Sequence, residues 1–210
     1  MPIRSGGWSG RPRRRTIHAV TETPDWRTRR WEATHRRIFQ TALALFQEHG
    51  FEKVAVGQIA AGAGVSVPTF YAHYPSKEHV IMQLPTSEEV GALLASQPAD
   101  LPVADRIRLG AHGWFAQMPA DEFDELRIRW KIIATTPTLR TRAAEFERET
   151  AGMVIETMTG DAEEGSRSRV VVRAGAYLAA YTAALLSWAD SDGERKLEET
   201  LDEAFAALRD

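Results

Sequence analysis

Whatever chemistry this chain performs is concentrated in the run VPTFYAHYPSK, residues 67–77. Phe70 and Tyr74 lie four residues apart, one helical turn, and are expected to face a core. That leaves Val67, Pro68, Thr69, Tyr71, Ala72 and His73 on the outward side, with a core position as the competing reading for Tyr71. Lys77 follows in the first turn of a next helix, where its charge would sit beside backbone N–H groups and suit a phosphate. Val67 and Pro68 donate no side-chain hydrogen bond, but either can touch a thymine methyl.

The elements that must position these groups are legible around them. Val56, Ile59, Ala60 and Ala63 recur at helical spacing and predict a two-turn helix. Gly64 falls where a helix end calls for positive φ. Val65 is a buried plug, Ser66 a cap for the second helix, and Pro68 belongs to a first turn. The second helix should stop near Tyr74, before Pro75, with Ser76 capping the next. Helix, short glycine turn, helix is the helix-turn-helix plan, whose second helix enters the DNA major groove. Ahead of it, Trp31, His35, Ile38, Ala42, Leu45 and Phe46 keep helical spacing up to Gly50, a supporting helix from about residue 25 or 28 to His49.

Catalytic readings fail on spacing. The six histidines show no i, i+4 pair that would hold zinc. No serine sits in a nucleophile elbow and no glycine-rich phosphate loop is present. The acidic pairs Asp121-Glu122 and Glu163-Glu164 fall at helix starts, where the dipole explains them. No catalytic residue, cofactor or metal is expected, and the chain reads as something other than an enzyme.

The stretch QIAAGAGVSVPTFYAHYPSKEHVI, with RRIFQTALALFQEHGF before it, resembles the DNA-binding core of the TetR/AcrR (tetracycline-repressor) family. The likeness covers roughly residues 30–82 and rests on Ile59-Ala60, Ala63 to Ser66, the Thr69-x-Tyr71-x-His73-Tyr74 run and Ser76-Lys77-Glu78. It implies that Thr69, Tyr71 and His73 contact phosphates or sugar edges and that Lys77 meets a phosphate. Two departures stand out. Ala55 replaces the family's usual capping threonine, which predicts a frayed start or help from another group. Val67 and Pro68 replace a frequent lysine and glycine, which changes base readout. Gly57 further weakens the same first turn, by up to about 1 kcal/mol against alanine.

With 210 residues, 43% hydrophobic and 26% charged, the chain can bury a real core. It has no cysteine, which excludes disulfides and thiolate metal sites. No apolar run reads as approaching membrane-spanning length and the arginine-rich start lacks a signal peptide's apolar segment, so no membrane partner and a cytoplasmic protein are expected. The net charge of −3 conceals a basic front, +6 over residues 1–79, and an acidic back, −9 over residues 80–210. That asymmetry fits a phosphate-facing domain joined to a body that is not.

The organisation expected is therefore all-α: a basic flexible arm (1–27), a three-helix helix-turn-helix DNA-binding domain (28–75) and a larger helical ligand-binding and dimerisation domain (76–210). The arm either reaches a minor groove or is a solvated tail. Helices are expected near 76–84 and 86–96, divided by Pro85, then 103–118, 121–135, 138–159, 163–189 and 193–209. Leu197, Leu201, Ala204, Phe205 and Leu208 stripe the last. The one before is rich in alanine and carries Tyr177, Tyr181, Leu185 and Trp188. By resemblance this pair forms a four-helix homodimer interface, here Tyr181, Leu185, Leu201 and Phe205, with burial inside one chain as the alternative. The family also binds small molecules in the body. Trp114, Phe115, Met118, Trp130 and Tyr177 are the expected lining for a hydrophobic or aromatic effector, though such residues are commonly core. Arg127 and Arg129 could pair with an anionic group or be solvated helix charges. The implied function is a ligand-responsive homodimeric repressor on a pseudo-palindromic DNA operator. The alternatives are a helix-turn-helix regulator controlled without a small molecule, and a fold relative that has lost DNA binding.

Overall fold

The computed structural model describes residues 26–83, 85–98, 100–159 and 164–209. Of the expected arm only residues 26 and 27 fall within that range. Ten α-helices follow one another among the described residues: α1 (Trp26–His49), α2 (Val56–Gly62), α3 (Val67–His73), α4 (Lys77–Met82), α5 (Ser87–Ala95), α6 (Val103–Ala116), α7 (Ala120–Thr135), α8 (Pro137–Thr159), α9 (Glu164–Asp190) and α10 (Leu197–Ala206), with a 3₁₀ turn at Phe51–Lys53.

The breaks have local causes. Gly50 and Gly64 hold φ of 83° and 62°, backbone that a side chain resists. At the end of α2 the Val65 N–H reaches Ala60 O at 2.9 Å and the Gly64 N–H reaches Ala61 O at 3.0 Å, a Schellman closure around that glycine. Ser66 Oγ then accepts from the Thr69 N–H at 3.1 Å and caps α3. Gly62 is required for a different reason: a Cβ there would lie 2.8 Å from Thr41 Cγ2 on α1. Ala55 cannot cap α2, and the side chain of Gln58 supplies the help, accepting from the Ala55 N–H at 2.8 Å. Ser76, expected as a cap for α4, instead turns its hydroxyl to Glu78 and His79.

Two apolar cores organise the packing. The first joins Ile38, Phe46, Ile59, Phe70 and Ile81 to Ile133, Leu139 and Phe146 from α7 and α8. The second gathers Leu94, Phe115, Tyr177, Leu185, Leu201 and Phe205 from α5, α6, α9 and α10. Trp130 packs against both. Val80, Ile81 and Met82 of α4 lie in the first core, where α4 packs against α1 on one side and against α7 and α8 on the other. The break between α4 and α5 contains Gln83 at φ 23°, and α5 restarts on a capping box between Thr86 and Glu89.

Contrary to the expectation from sequence, one segment, Arg167–Asp190 within α9, is long and apolar enough to cross a membrane. It packs instead against α6, α7, α8 and α10 as the central helix of the body. The same packing buries three of the four expected subunit-interface residues within one chain. Leu185, Leu201 and Phe205 are 1%, 0% and 0% exposed within a single chain. Tyr181 is half-buried and stacks on Phe115 at 6.1 Å. The stripe on α10 is one face of a ten-residue helix and is already spent on its own α9.

Candidate nucleic-acid interface

The recognition helix α3 is anchored by two aromatic rings and presents the rest. Phe70 is fully buried, and Tyr74 is buried with its hydroxyl donating to His35 O at 3.3 Å. Val67, Pro68, Tyr71 and Ala72 are exposed, Tyr71 at 53%. That settles Tyr71 as outward, lying edge-on to Phe70 with ring centroids 5.4 Å apart. It borders a concavity of about 410 Å³ shared with Val54, Ala55, Ser76 and Lys77. Thr69 is half-buried, its hydroxyl 2.7 Å from Ser66 Oγ.

Two expected contacts point elsewhere. Lys77 Nζ donates to Phe51 O at 3.0 Å and Val54 O at 3.3 Å, and sits 4.3 Å from the centre of the Phe51 ring. The side chain is thus a strut that closes the loop between α1 and α2, rather than a free phosphate donor. We expect Lys77→Ala to cost about 2 kcal/mol of stability, the range for hydrogen bonds to a charged group. The salt dependence of DNA binding should stay the same. A thermal melt and a salt titration check the two halves.

His73 turns toward α1, where it joins an aromatic cluster absent from the sequence reading. Trp31 stacks on His35 at 4.7 Å, His35 on Tyr74 at 4.1 Å, and His73 lies 4.9 Å from Trp31 and 5.7 Å from His35. The Nδ1 atoms of both histidines are buried without a partner. Burial lowers both pKa values below 6.5, reinforced by His73 for His35 and by Arg37 for His73. The native state therefore binds fewer protons than the unfolded chain as pH falls through 6.5, so stability is full above that pH and lost below it. Melting should drop between pH 7.5 and pH 5, and less so in His35→Gln with His73→Gln. An equal drop in both proteins would remove the histidines as its source.

The first turns of α1 extend this face with cationic and aromatic groups that motif spacing alone did not single out. Arg27, Arg29 and Arg30 are exposed, as are Trp26 at 57% and Trp31 at 50%. Arg27, Arg30, Trp31, Ser66, Thr69 and His73 share a concavity of about 740 Å³ between α1 and the start of α3. Arg37 closes its floor, donating to Ala63 O at 2.7 Å. Clustered arginine was the available signal.

In the body, the expected lining separates. Trp114 is 46% exposed on the outer side of α6 and does not join the others, whereas its neighbour Phe115 is buried. Tyr177 is buried and stacks on Phe205 at 5.5 Å. Met118 and Trp130 keep partial exposure at the margin of the second core. Arg127 is exposed beside Asp124, while Arg129 points inward.

A capped, glycine-turned pair of helices on a third, joined to a separate helical core, defines a helix-turn-helix transcriptional regulator. The sequence pattern of "Bacterial regulatory proteins, tetR family" matches residues 38–84, and that of the "MftR C-terminal domain" matches residues 101–210. The chain belongs to the tetR family of bacterial transcriptional regulators. It is 34% identical over 83 residues to the HTH-type transcriptional regulator EthR of Mycobacterium tuberculosis, covering 37% of this chain and 38% of that one. Against EthR of Mycolicibacterium smegmatis it is 45% identical over 47 residues, 22% of either chain. The alignments thus span well under half the length of these relatives. The fold is similar to that of the fatty acid degradation regulator FadR from Bacillus halodurans, with a TM-score of 0.51 at 20% identity over 83% of this chain and 94% of that chain.

Proposed function

We propose that the protein is a cytoplasmic, homodimeric, effector-responsive repressor that binds a pseudo-palindromic operator through α3. Residues 26–83 form its DNA-binding head, with the rest as the regulatory body. The observation that carries the reading is the division of α3 between buried Phe70 and Tyr74 and exposed Val67, Pro68, Tyr71 and Ala72, flanked by the exposed arginines at the start of α1. Val67 and Pro68 read bases by apolar contact, Tyr71 and Thr69 hold the strand, and Arg27 and Arg30 add phosphate contacts.

The dimer forms through the outer side of α9, where Val172, Ala179 and Ala183 are exposed on one stripe. Small residues there let a partner helix approach closely. The two recognition helices then meet half-sites about 34–36 Å apart or a small multiple of that turn. Effector enters the body beside Phe115, Met118 and Trp130, and regulates only through unequal affinity for the two arrangements of the head. Selection of bound sites from random DNA tests the whole. A pseudo-palindrome is expected, and recovery of no enriched sequence would remove DNA recognition from the reading.

A further inference from the structure

The first two turns of α1 stand clear of both cores. Trp26 to Ala33 are exposed without exception, Thr34 and His35 are half-buried, and Ile38 is the first residue of the helix that the core covers fully. At 1.5 Å per residue, Trp26 therefore lies about 18 Å out along the helix from Ile38. Successive residues turn by about 100° around the axis. Trp26, Arg27, Arg30, Trp31, Thr34 and Arg37 thus share one side, and Thr28, Arg29 and Glu32 share the other. The first side is one wall of the concavity of about 740 Å³, and Ser66, Thr69 and His73 stand on the facing wall. Glu32, the one carboxylate in this stretch of helix, is outside the lining.

Such a wall suits a partner that is anionic and only accepts hydrogen bonds. Guanidinium and indole groups donate and cannot accept, and the Ser66 and Thr69 hydroxyls can donate as well. A DNA strand accepts at every phosphate and carries a charge at each step. An indole can cover the sugar between two phosphates while its N–H donates to one of them. A second copy of this chain would bring the same positive face and be repelled. Thr69 belongs both to the concavity and to α3, so the surface continues from the recognition helix without a break. We infer that the projecting turns of α1 are a second DNA-contacting element, which grips the sugar–phosphate backbone flanking the bases met by α3. The inference rests on the DNA-binding reading above and extends its footprint beyond the half-site. Trp26 and the guanidiniums of Arg27 and Arg30 hold that strand without reading its sequence. The Arg27 guanidinium carbon lies 5.6 Å from the centre of the Trp26 ring, so the two groups are presented together. Trp31 is tied to its neighbours, stacked on His35 and 4.9 Å from His73, which leaves Trp26 as the ring that isolates the contact.

The test compares two duplexes. One is the selected operator cut at its outermost specified bases, and the other is the same operator extended on each side by about 10 bp, one helical turn, of unrelated sequence. Anisotropy titrations at several salt concentrations give affinity and salt slope for each. The wild type should bind the extended duplex about tenfold more tightly. Its slope there should be steeper by about two per bound chain, one for each of Arg27 and Arg30. Replacing the flanking sequence at constant length should change neither quantity. In Trp26→Ala with Arg27→Ala the preference for the extended duplex should nearly vanish. Trp26→Phe keeps a flat ring but loses the N–H donor, and should retain part of it. Shortening a duplex weakens its counter-ion atmosphere for any protein, so the difference between wild type and variants is the quantity that decides. These proteins should melt alike, because the altered side chains are exposed. An undiminished preference in the double variant, or a flank effect that follows sequence at constant length, overturns the inference. Equal binding of both duplexes by the wild type overturns it and leaves recognition by α3 standing. A wild type that binds neither duplex removes the DNA-binding reading as well. A changed oligomeric state of Trp26→Ala in sedimentation would give the face to a second copy and overturn the inference too.

Discussion

Phe205→Ala should cost about 3–5 kcal/mol, enough to remove most of the stability of a typical domain, and Leu201→Glu more. Both side chains are fully buried inside one chain, Phe205 under the ring of Tyr177. Truncation leaves a cavity that a close-packed helix pair cannot collapse around, and a carboxylate at position 201 would be buried among the apolar side chains of the second core. The outer side of α9 should behave in the opposite way. Val172 is 71% exposed, and Ala183 is exposed about three turns further along the same stripe. Val172→Glu with Ala183→Glu should therefore melt within about 0.5 kcal/mol of the wild type yet sediment as a monomer, with operator affinity falling because one half-site binds weakly alone. Sedimentation and thermal melts on the two sets of variants separate the roles. A folded Phe205→Ala monomer would return the interface to α10.

The difference between these helices shows where sequence was informative. Element boundaries were legible because punctuation is local: Gly50 and Gly64 need positive φ, Ser66 caps, Pro75, Pro85 and Pro119 fall between helices, and Pro137 opens α8. The helix-turn-helix was legible for the same reason. What a stripe packs against is not local. The periodicity of Leu197, Leu201 and Phe205 says that they are buried, and gives no sign whether the cover is the same chain or a second one. Direction within a helix is also lost when neighbours are grouped by chemistry. Trp114 and Phe115 are successive and so diverge by about 100° around the axis, which puts only Phe115 inside. Arg127 and Arg129 diverge likewise, one toward solvent and one onto α4. The strut made by Lys77 was not legible because its acceptors, Phe51 O and Val54 O, come from a loop that closes on it only in three dimensions.

Tyr71→Ala should lower operator affinity by about 10- to 100-fold, one good contact of about 1–3 kcal/mol at a recognition surface. Stability should hardly change, since a ring 53% exposed against one face of Phe70 is a surface substitution. The loss should be similar on operator and on unrelated DNA if the phenol holds the backbone, because such contacts position the protein without reading sequence. Val67→Ala should behave differently, weakening the selected operator more than its thymine-substituted variants, since an apolar contact to a methyl group is lost only where the methyl exists. Neither change removes charge, so neither should alter the slope of log K against log salt. Arg27→Ala with Arg30→Ala should flatten that slope, by about one for each phosphate released per bound chain. Anisotropy titrations at several salt concentrations give all three quantities from one set of variants. If Tyr71→Ala binds normally while the arginine pair abolishes all recognition, α1 rather than α3 carries the DNA contact. An unchanged slope in the arginine pair would place those side chains off the phosphate path.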